Sequence, residues 1–328
     1  MSTVPAIGEG QAAAAEQAER DRPWRRRLRR TGIGVLAAIL AVTVASLVFN
    51  LVTEPPARLD PQSGSYVQVG DSDVHYQQWG DQGSPIVLVP GAMESSVAWS
   101  TVGPLLGEHH RVYAIDMPWL GYTRYTGQMD LNGQVLLLDG FMNALHLDRP
   151  LVVGHSLGAG IVAGDALAHP ASLGGVVFAD GDGLPFGFGP QWLGKTLVRL
   201  PYVTSAMRIA ERSPQVVRSV IASNCGTVCP AATLQLAREW IRPLGQQAEK
   251  DALTYNAGYG LTDAQIASIT VPATIVWGSE DHATVSLPAT EKNLPHAPVH
   301  IIPNAGHLSM IANPTAFAAA IEAAQTQP

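Results

Sequence analysis

Gly154-His155-Ser156-Leu157-Gly158 decides the reading of this chain. It follows the apolar run Leu151-Val152-Val153 and precedes the small-residue stretch Ala159-Gly160-Ile161-Val162-Ala163. A short buried strand, a tight turn and a helix are the setting a G-x-S-x-G turn requires. Such a turn puts Ser156 in a strained backbone conformation and presents its hydroxyl at a helix N-terminus, where free N–H groups favour developing negative charge. A side chain at position 154 or 158 would collide with the neighbouring strand or helix, which is why both positions are glycine.

A serine is a poor nucleophile until a neutral imidazole takes its proton and a carboxylate orients that imidazole. Two later segments supply these groups. Ala273-Thr274-Ile275-Val276-Trp277 reads as a buried strand running into Gly278-Ser279-Glu280-Asp281-His282. Val299-His300-Ile301-Ile302 reads as another, ending in Pro303-Asn304-Ala305-Gly306-His307. Ser156, Asp281 and His307 therefore each follow a strand. In a parallel sheet, residues just past the strands' carboxyl ends converge on one edge. Asp180 and Asp182, which follow Val176-Val177-Phe178-Ala179, are rivals for the acid. His155, His282, His296 and His300 are weaker candidates for the base, because none occupies a Gly-His turn after the final strand. His155 is expected to be structural, and Asp116 to support a loop near the pocket.

Several segments together carry a family resemblance: Val87-Leu88-Val89-Pro90-Gly91-Ala92, Tyr113-Ala114-Ile115-Asp116-Met117-Pro118, the serine turn, Trp277-Gly278 with Asp281, and Gly306-His307 followed by Asn313-Pro314. From about Tyr66 onward the chain resembles an α/β-hydrolase of the esterase, lipase and haloperoxidase-like group. Pro90 stands where that family usually has His, and Trp119 where it usually has Gly. The resemblance implies a mostly parallel sheet flanked by helices, with a helical cap inserted in it. It also implies an oxyanion hole from the backbone N–H groups of Ala92 and Leu157, and pocket walls from Met93, Trp119, Phe186 and Phe188. Phe186, Phe188 and Trp192 are equally compatible with a plain core role. No metal or organic cofactor is implied.

With Ser156 as nucleophile, His307 as base and Asp281 as orienting acid, the expected reaction is hydrolysis of an ester or thioester. Amide, lactone or carbon–carbon bond hydrolysis and perhydrolysis use the same constellation. A non-catalytic protein of this fold that binds a ligand is the alternative from another class. The partner expected is a small, hydrophobic ester.

Strands alternating with helices imply parallel pairing. Tyr66–Val69 and Val74–Trp79 read as a hairpin around Gly70-Asp71-Ser72-Asp73. Strands are expected at Ile86–Val89, Val112–Ile115, Leu151–Val153 and Val176–Phe178. Helices are expected at Trp99–Gly107, Leu131–Leu145, Leu157–His169 and Pro314–Ala324. The hydrolase core is placed at residues 66–182 and 251–328. Residues 183–250 break the rhythm, with amphipathic windows at Trp192–Leu200, Val203–Glu211 and Ala231–Ile241; the resemblance implies that they are the cap, the alternative being an accessory helical layer away from the site.

The N-terminus has a different character. Seven arginines between Arg20 and Arg30 precede Gly32–Val52, a stretch with no charged residue and long enough to cross a bilayer. It is longer than the apolar core of a cleaved signal, and no small-residue cleavage site follows it. Residues 1–31 are expected to be a basic cytoplasmic tail, its first 19 residues disordered. Residues 32–52 are expected to be an uncleaved signal anchor, and 53–65 a linker to a catalytic domain outside the cytoplasm. The formal charge of −7 over 328 residues excludes nucleic acid as a natural partner. The only cysteines, Cys225 and Cys229, suit a local disulfide in an exported domain. A metal pair lacks further Cys or His nearby in sequence.

Overall fold

The computed structural model describes residues 9–54, 61, 63–118, 121–128, 130–184, 200–227, 229–243, 260–282 and 287–325. The chain divides into two compact units, Met1–Thr53 and Glu54–Pro328.

The first unit holds one helix, α1 (Glu9–Val52). It begins at Glu9, inside the first 19 residues expected to be disordered. Ala12–Ala15 and the Glu, Gln and Arg residues after them are strong helix formers and extend the apolar segment backwards. Within α1, Arg27–Val52 is long and apolar enough to cross a membrane.

The second unit is built on eight strands: β1 (Ser65–Val69), β2 (Ser72–Trp79), β3 (Pro85–Val89), β4 (Arg111–Ile115), β5 (Leu151–His155), β6 (Gly175–Ala179), β7 (Ala273–Gly278) and β8 (Val299–Ile302). Their order is β1-β2-β4-β3-β5-β6-β7-β8, antiparallel for β1/β2 and β2/β4 and parallel from β4 onward. The described helices of this unit are α2 (Gly103–Leu106), α3 (Leu131–Ala144), α4 (Leu157–Ala168), α5 (Pro201–Glu211), α6 (Pro214–Cys225), α7 (Leu234–Ile241), α8 (Asp263–Ala267), α9 (Leu287–Asn293), α10 (Ser309–Ala312) and α11 (Pro314–Gln325).

The central strands are apolar throughout because both faces are covered. Alternate residues point to opposite layers. Val87, Val89, Val152, Val176, Phe178 and Ile275 pack in one cluster with Val135, Leu138 and Phe141 of α3 and Ile161 of α4. Ile86, Leu88, Val153, Val177 and Val276 pack in the other with Trp99, Met310 of α10, and Phe317 and Ile321 of α11. Truncating a fully buried aromatic such as Phe141 or Phe317 is worth about 3–5 kcal/mol of stability.

One expected helix is broken. Trp99–Gly107 is instead a 3-10 turn, Ser96–Trp99, followed by the short α2. Pro104 sets the first turn of α2, and Gly107 ends it. Between β6 and β7, α5 and α7 overlap the windows expected at Val203–Glu211 and Ala231–Ile241. α6 lies between them, started by Pro214 and capped by the Ser213 side chain. The window at Trp192–Leu200 lies outside the described residues except for Leu200.

Candidate active site

Ser156 sits between β5 and α4 with φ 49° and ψ −117°, the left-handed strain that a nucleophile turn imposes. Its N–H donates to the carbonyl of Ala179 (2.9 Å), which pins the turn to β6. The flanking glycines are sterically required. A Cβ at Gly154 would lie 2.5 Å from the Gly158 carbonyl oxygen, and one at Gly158 would lie 2.7 Å from the carbonyl oxygens of Val89 and Pro90. These approaches are closer than real Cβ contacts allow.

The carboxyl edge of the sheet brings three distant residues together. His307 Nε2 lies 2.9 Å from Ser156 Oγ. His307 Nδ1 lies 3.0 Å from Asp281 Oδ2, a carboxylate whose side chain is 1% exposed. The imidazole thus bridges hydroxyl and carboxylate in the relay that nucleophilic catalysis uses.

The rival acids are bonded elsewhere. Asp180 accepts from the Gly278 N–H (2.7 Å) and from the Ser309 hydroxyl, joining the end of β7 to the start of α10. Burial pushes its carboxyl up to about 6, against the opposing effect of His155. Asp182 accepts from the Leu184 N–H (3.0 Å). His282 and His296 are exposed, and His300 lies within β8.

Leu157 is the first residue of α4, so its N–H is among those left without an intrahelical acceptor. Ala92 follows Gly91, where a Cβ would lie 3.0 Å from Ser156 Cβ, so the chain passes directly beside the nucleophile turn. Met93, with φ 60°, lines the cavity above. Trp119, Phe186 and Phe188 lie outside the described residues, as does Trp192.

A buried pair beneath this arrangement was not singled out from the sequence. Glu94 Oε2 accepts from the Gly91 N–H (2.7 Å) and lies 2.9 Å from His155 Nδ1. His155 Nε2 lies 2.7 Å from the His307 carbonyl oxygen. Burial opposes charge on His155, but Glu94 outweighs it and raises the imidazole to about 9. The imidazolium donates from both nitrogens and links three loops: that of Gly91, that of Ser156 and that of His307. The detectable signal was an acidic residue three positions after Gly91 together with a histidine inside the serine turn.

Asp116, after β4, has the supporting place expected. It accepts from the Ser96 N–H (2.7 Å) and the Tyr122 N–H (2.9 Å), and its Oδ2 lies 2.7 Å from His75 Nδ1. Burial of His75 is outweighed by Asp116, so that imidazole is raised above its ordinary value.

A cavity of about 310 Å³ opens over His307. Its described walls are apolar, with Val216, Val217, Val220 and Ile221 of α6 facing Ala92, Met93 and Leu308. Trp240 of α7 closes one side and donates its indole N–H to the Met93 carbonyl (2.9 Å). Glu94 and Glu211 are the acidic residues among the described walls, and no Lys or Arg is among them. Asp139, Asp165 and His169, between α3 and α4, are close enough to share a cation. Asp165 already bonds His169 Nδ1 at 2.8 Å.

Fold and site together define a hydrolase scaffold with a serine, a histidine and an aspartate in hydrogen-bonding sequence. Residues 86–320 match the model of the Alpha/beta hydrolase family, and the chain belongs to that family. Over 272 residues it is 25% identical to the 2-hydroxy-6-oxo-6-(2'-aminophenyl)hexa-2,4-dienoic acid hydrolase of Metapseudomonas resinovorans, covering 77% of this chain and 87% of that protein. Two other curated relatives, 31% and 29% identical, are matched over only 48% and 37% of their own length, so the chain spans about half of each or less. Among solved structures, a meta-cleavage product hydrolase from Pseudomonas fluorescens IP01 superposes with a TM-score of 0.65 at 19% identity, covering 80% of this chain and 97% of that one. A membrane phospholipase A superposes with a TM-score of 0.61 at 20% identity, covering 94% of this chain and 100% of that one. These structural likenesses concern the fold.

Proposed function

We propose that this protein is a serine hydrolase that cleaves the bond beside a carbonyl carbon through a covalent intermediate on Ser156. The observation that carries the reading is the continuous path from Ser156 Oγ to His307 Nε2 (2.9 Å) and from His307 Nδ1 to Asp281 (3.0 Å). His307 takes the serine proton as Oγ attacks the carbonyl carbon. The N–H groups of Ala92 and Leu157 hold the resulting oxyanion, and losing one such donor costs about 3–4 kcal/mol of barrier. Asp281 stabilises the imidazolium. The imidazolium then gives its proton to the departing group, leaving the acyl chain on Ser156. Water, deprotonated by the same imidazole, releases the acid and restores the serine.

The relatives bear on which bond breaks. The substrate named for the Metapseudomonas protein carries a ketone and no ester or amide, so its hydrolysis must break a carbon–carbon bond next to that ketone. This supports carbon–carbon bond hydrolysis over the ester cleavage expected from the serine turn. The cavity favours a second reading of the substrate's ends. Its described walls are mostly apolar and Glu94 among them is already paired with His155, which favours a substrate with apolar groups beside the scissile carbonyl. An ester of an apolar acid meets that requirement, as does an uncharged ketone.

Arg27–Val52 supports attachment to a membrane through one helix, with the basic cluster retained in the cytoplasm and the hydrolase unit on the other side. A core at 66–182 and 251–328, with a cap at 183–250, is the division proposed for that unit.

The test is a matched pair of chromogenic substrates sharing one apolar acyl group, one an ester and one a 1,3-diketone, whose carbon leaving group departs as an enolate and takes the imidazolium proton. Faster Ser156-dependent turnover of the diketone supports carbon–carbon hydrolysis. Turnover of the ester alone returns the reaction to ester cleavage. Turnover of both that survives Ser156→Ala contradicts the serine mechanism.

A further inference from the structure

The turn after α6 does more than end a helix. Its backbone is hydrogen-bonded to the loop that carries His307. The Gly306 N–H donates to the Cys225 carbonyl (2.6 Å), and the Leu308 N–H donates to the Asn224 carbonyl (2.8 Å). These bonds grip the residues on both sides of His307. The same turn also reaches the acid loop. Thr227 donates its N–H (2.6 Å) and its hydroxyl (2.7 Å) to Glu280 Oε2, the residue before Asp281. The Glu280 N–H closes the circuit on the Ala305 carbonyl (2.7 Å). The two Thr227 bonds hold the exposed Glu280 carboxyl below its ordinary value.

The fit leaves no slack. Gly226 has φ +114°, and a Cβ there would lie 2.9 Å from the Gly306 nitrogen and 3.0 Å from Glu280 Oε2. A Cβ at Gly306 would lie 2.7 Å from the Asn224 carbonyl oxygen. Two glycines from distant parts of the chain thus face each other because neither loop has room for a side chain. Cys225 is fully buried and bonded to Cys229, which closes the turn covalently.

We infer that the turn Asn224–Thr227, tied by the Cys225–Cys229 disulfide, is a positioning element for the reaction, fixing the His307 and Asp281 loops relative to each other, with Gly226, Thr227 and Glu280 as its positioning residues. The inference rests on the serine-hydrolase reading for the roles of His307 and Asp281. It gives the disulfide a task beyond holding the helices between β6 and β7. Hydrogen bonds to residues 306 and 308 set the main chain on both sides of the imidazole. A displacement of about 1 Å there can cost up to about a hundredfold in rate.

The experiment uses the full chain and three readouts. They are the second-order rate of Ser156 labelling by a fluorophosphonate, kcat and KM for p-nitrophenyl butyrate, and the downfield proton resonance of the His307 ring N–H that faces Asp281. Glu280→Ala and the double variant Cys225→Ser/Cys229→Ser should slow labelling and kcat by about tenfold or more, change KM by less than about threefold and weaken the resonance. Glu280→Gln keeps an acceptor for Thr227 and should restore most of the rate. A role confined to helix packing would lower the melting temperature and leave labelling, kcat and the resonance at wild-type values, which would overturn the inference. Glu280 is exposed, so its variants stay informative if the cysteine variant does not fold. If the wild-type chain is not labelled at all, the serine-hydrolase reading fails. The resonance then decides separately: unchanged in Glu280→Ala, it overturns the positioning role as well; lost, it sustains the turn's hold on His307.

Discussion

His155 and His307 meet with 2.7 Å between the His155 Nε2 and the His307 carbonyl oxygen. The residue before Ser156 thus holds the main chain of His307, while Glu94 holds the other ring nitrogen and the Gly91 N–H. A fully buried imidazolium donating in both directions is what makes this junction possible.

That junction has a pH signature. In the unfolded chain His155 titrates near 6.5, and in the folded protein it is raised to about 9. The folded state therefore holds this proton more tightly. The stability it contributes is fully present below pH 6.5 and is lost as pH rises through 9. Denaturant unfolding should show a decline across this window that His155→Gln removes. A wild-type stability that is flat from pH 6.5 to 9 would contradict the charged junction. Glu94→Ala, which strands the buried imidazolium, should destabilise by about 3–5 kcal/mol.

Asp281→Asn should reduce kcat by orders of magnitude with the fold intact, because His307 loses its orienting charge. Asp180→Asn keeps one acceptor oxygen, for the Gly278 N–H, and turns the other into an amide NH2 that can only donate to the Ser309 hydroxyl, so its effect should fall mainly on stability. Steady-state kinetics on both variants decides this. A nearly active Asp281→Asn beside an inactive Asp180→Asn would move the acid to β6.

Trp240→Ala removes the indole bonded to the Met93 carbonyl and one wall of the cavity. The preferred acyl chain should lengthen, and kcat should fall as the Ala92–Met93 loop loosens. A panel of p-nitrophenyl esters from acetate to laurate reads both. An unchanged chain-length profile would mean that substrates do not occupy this cavity.

Much of this was legible before any coordinates. The parallel strands β3 to β7 lie where short apolar runs meet Gly, Pro or Asp turns, because buried parallel strands carry a strong local signal, whereas β1 and β2 are legible from the β-rich runs around Gly70-Asp71. Ser156, Asp281 and His307 could be named because each follows such a run. The Glu94–His155 pair could not, since its members are 61 positions apart and neither sits in a periodic pattern. The turn at Asn224–Thr227 was visible only through the cysteine pair that ties it. Its grip on Gly306 and Glu280 depends on tertiary approach. Trp99–Gly107 looked like one helix because its apolar spacing is helical, but Pro104 and Gly107 divide it.

Removing residues 1–53 should yield a soluble, active hydrolase, because Glu54–Pro328 forms its own compact unit and contains every proposed catalytic residue. Gel filtration and fluorophosphonate labelling of the shortened chain test this. Aggregation with loss of labelling would tie the helix to the hydrolase fold. Protease added to intact spheroplasts should degrade the hydrolase unit in the full-length protein. Protection would place that unit inside the cell.

The most direct test of the central claim is fluorophosphonate labelling of the intact protein, with the modified peptide identified by mass spectrometry. The serine mechanism predicts one adduct, on Ser156, that disappears in Ser156→Ala and is strongly slowed in His307→Ala, with hydrolysis lost in parallel and the fold unchanged. An adduct on another residue, or wild-type hydrolysis by Ser156→Ala, would contradict it.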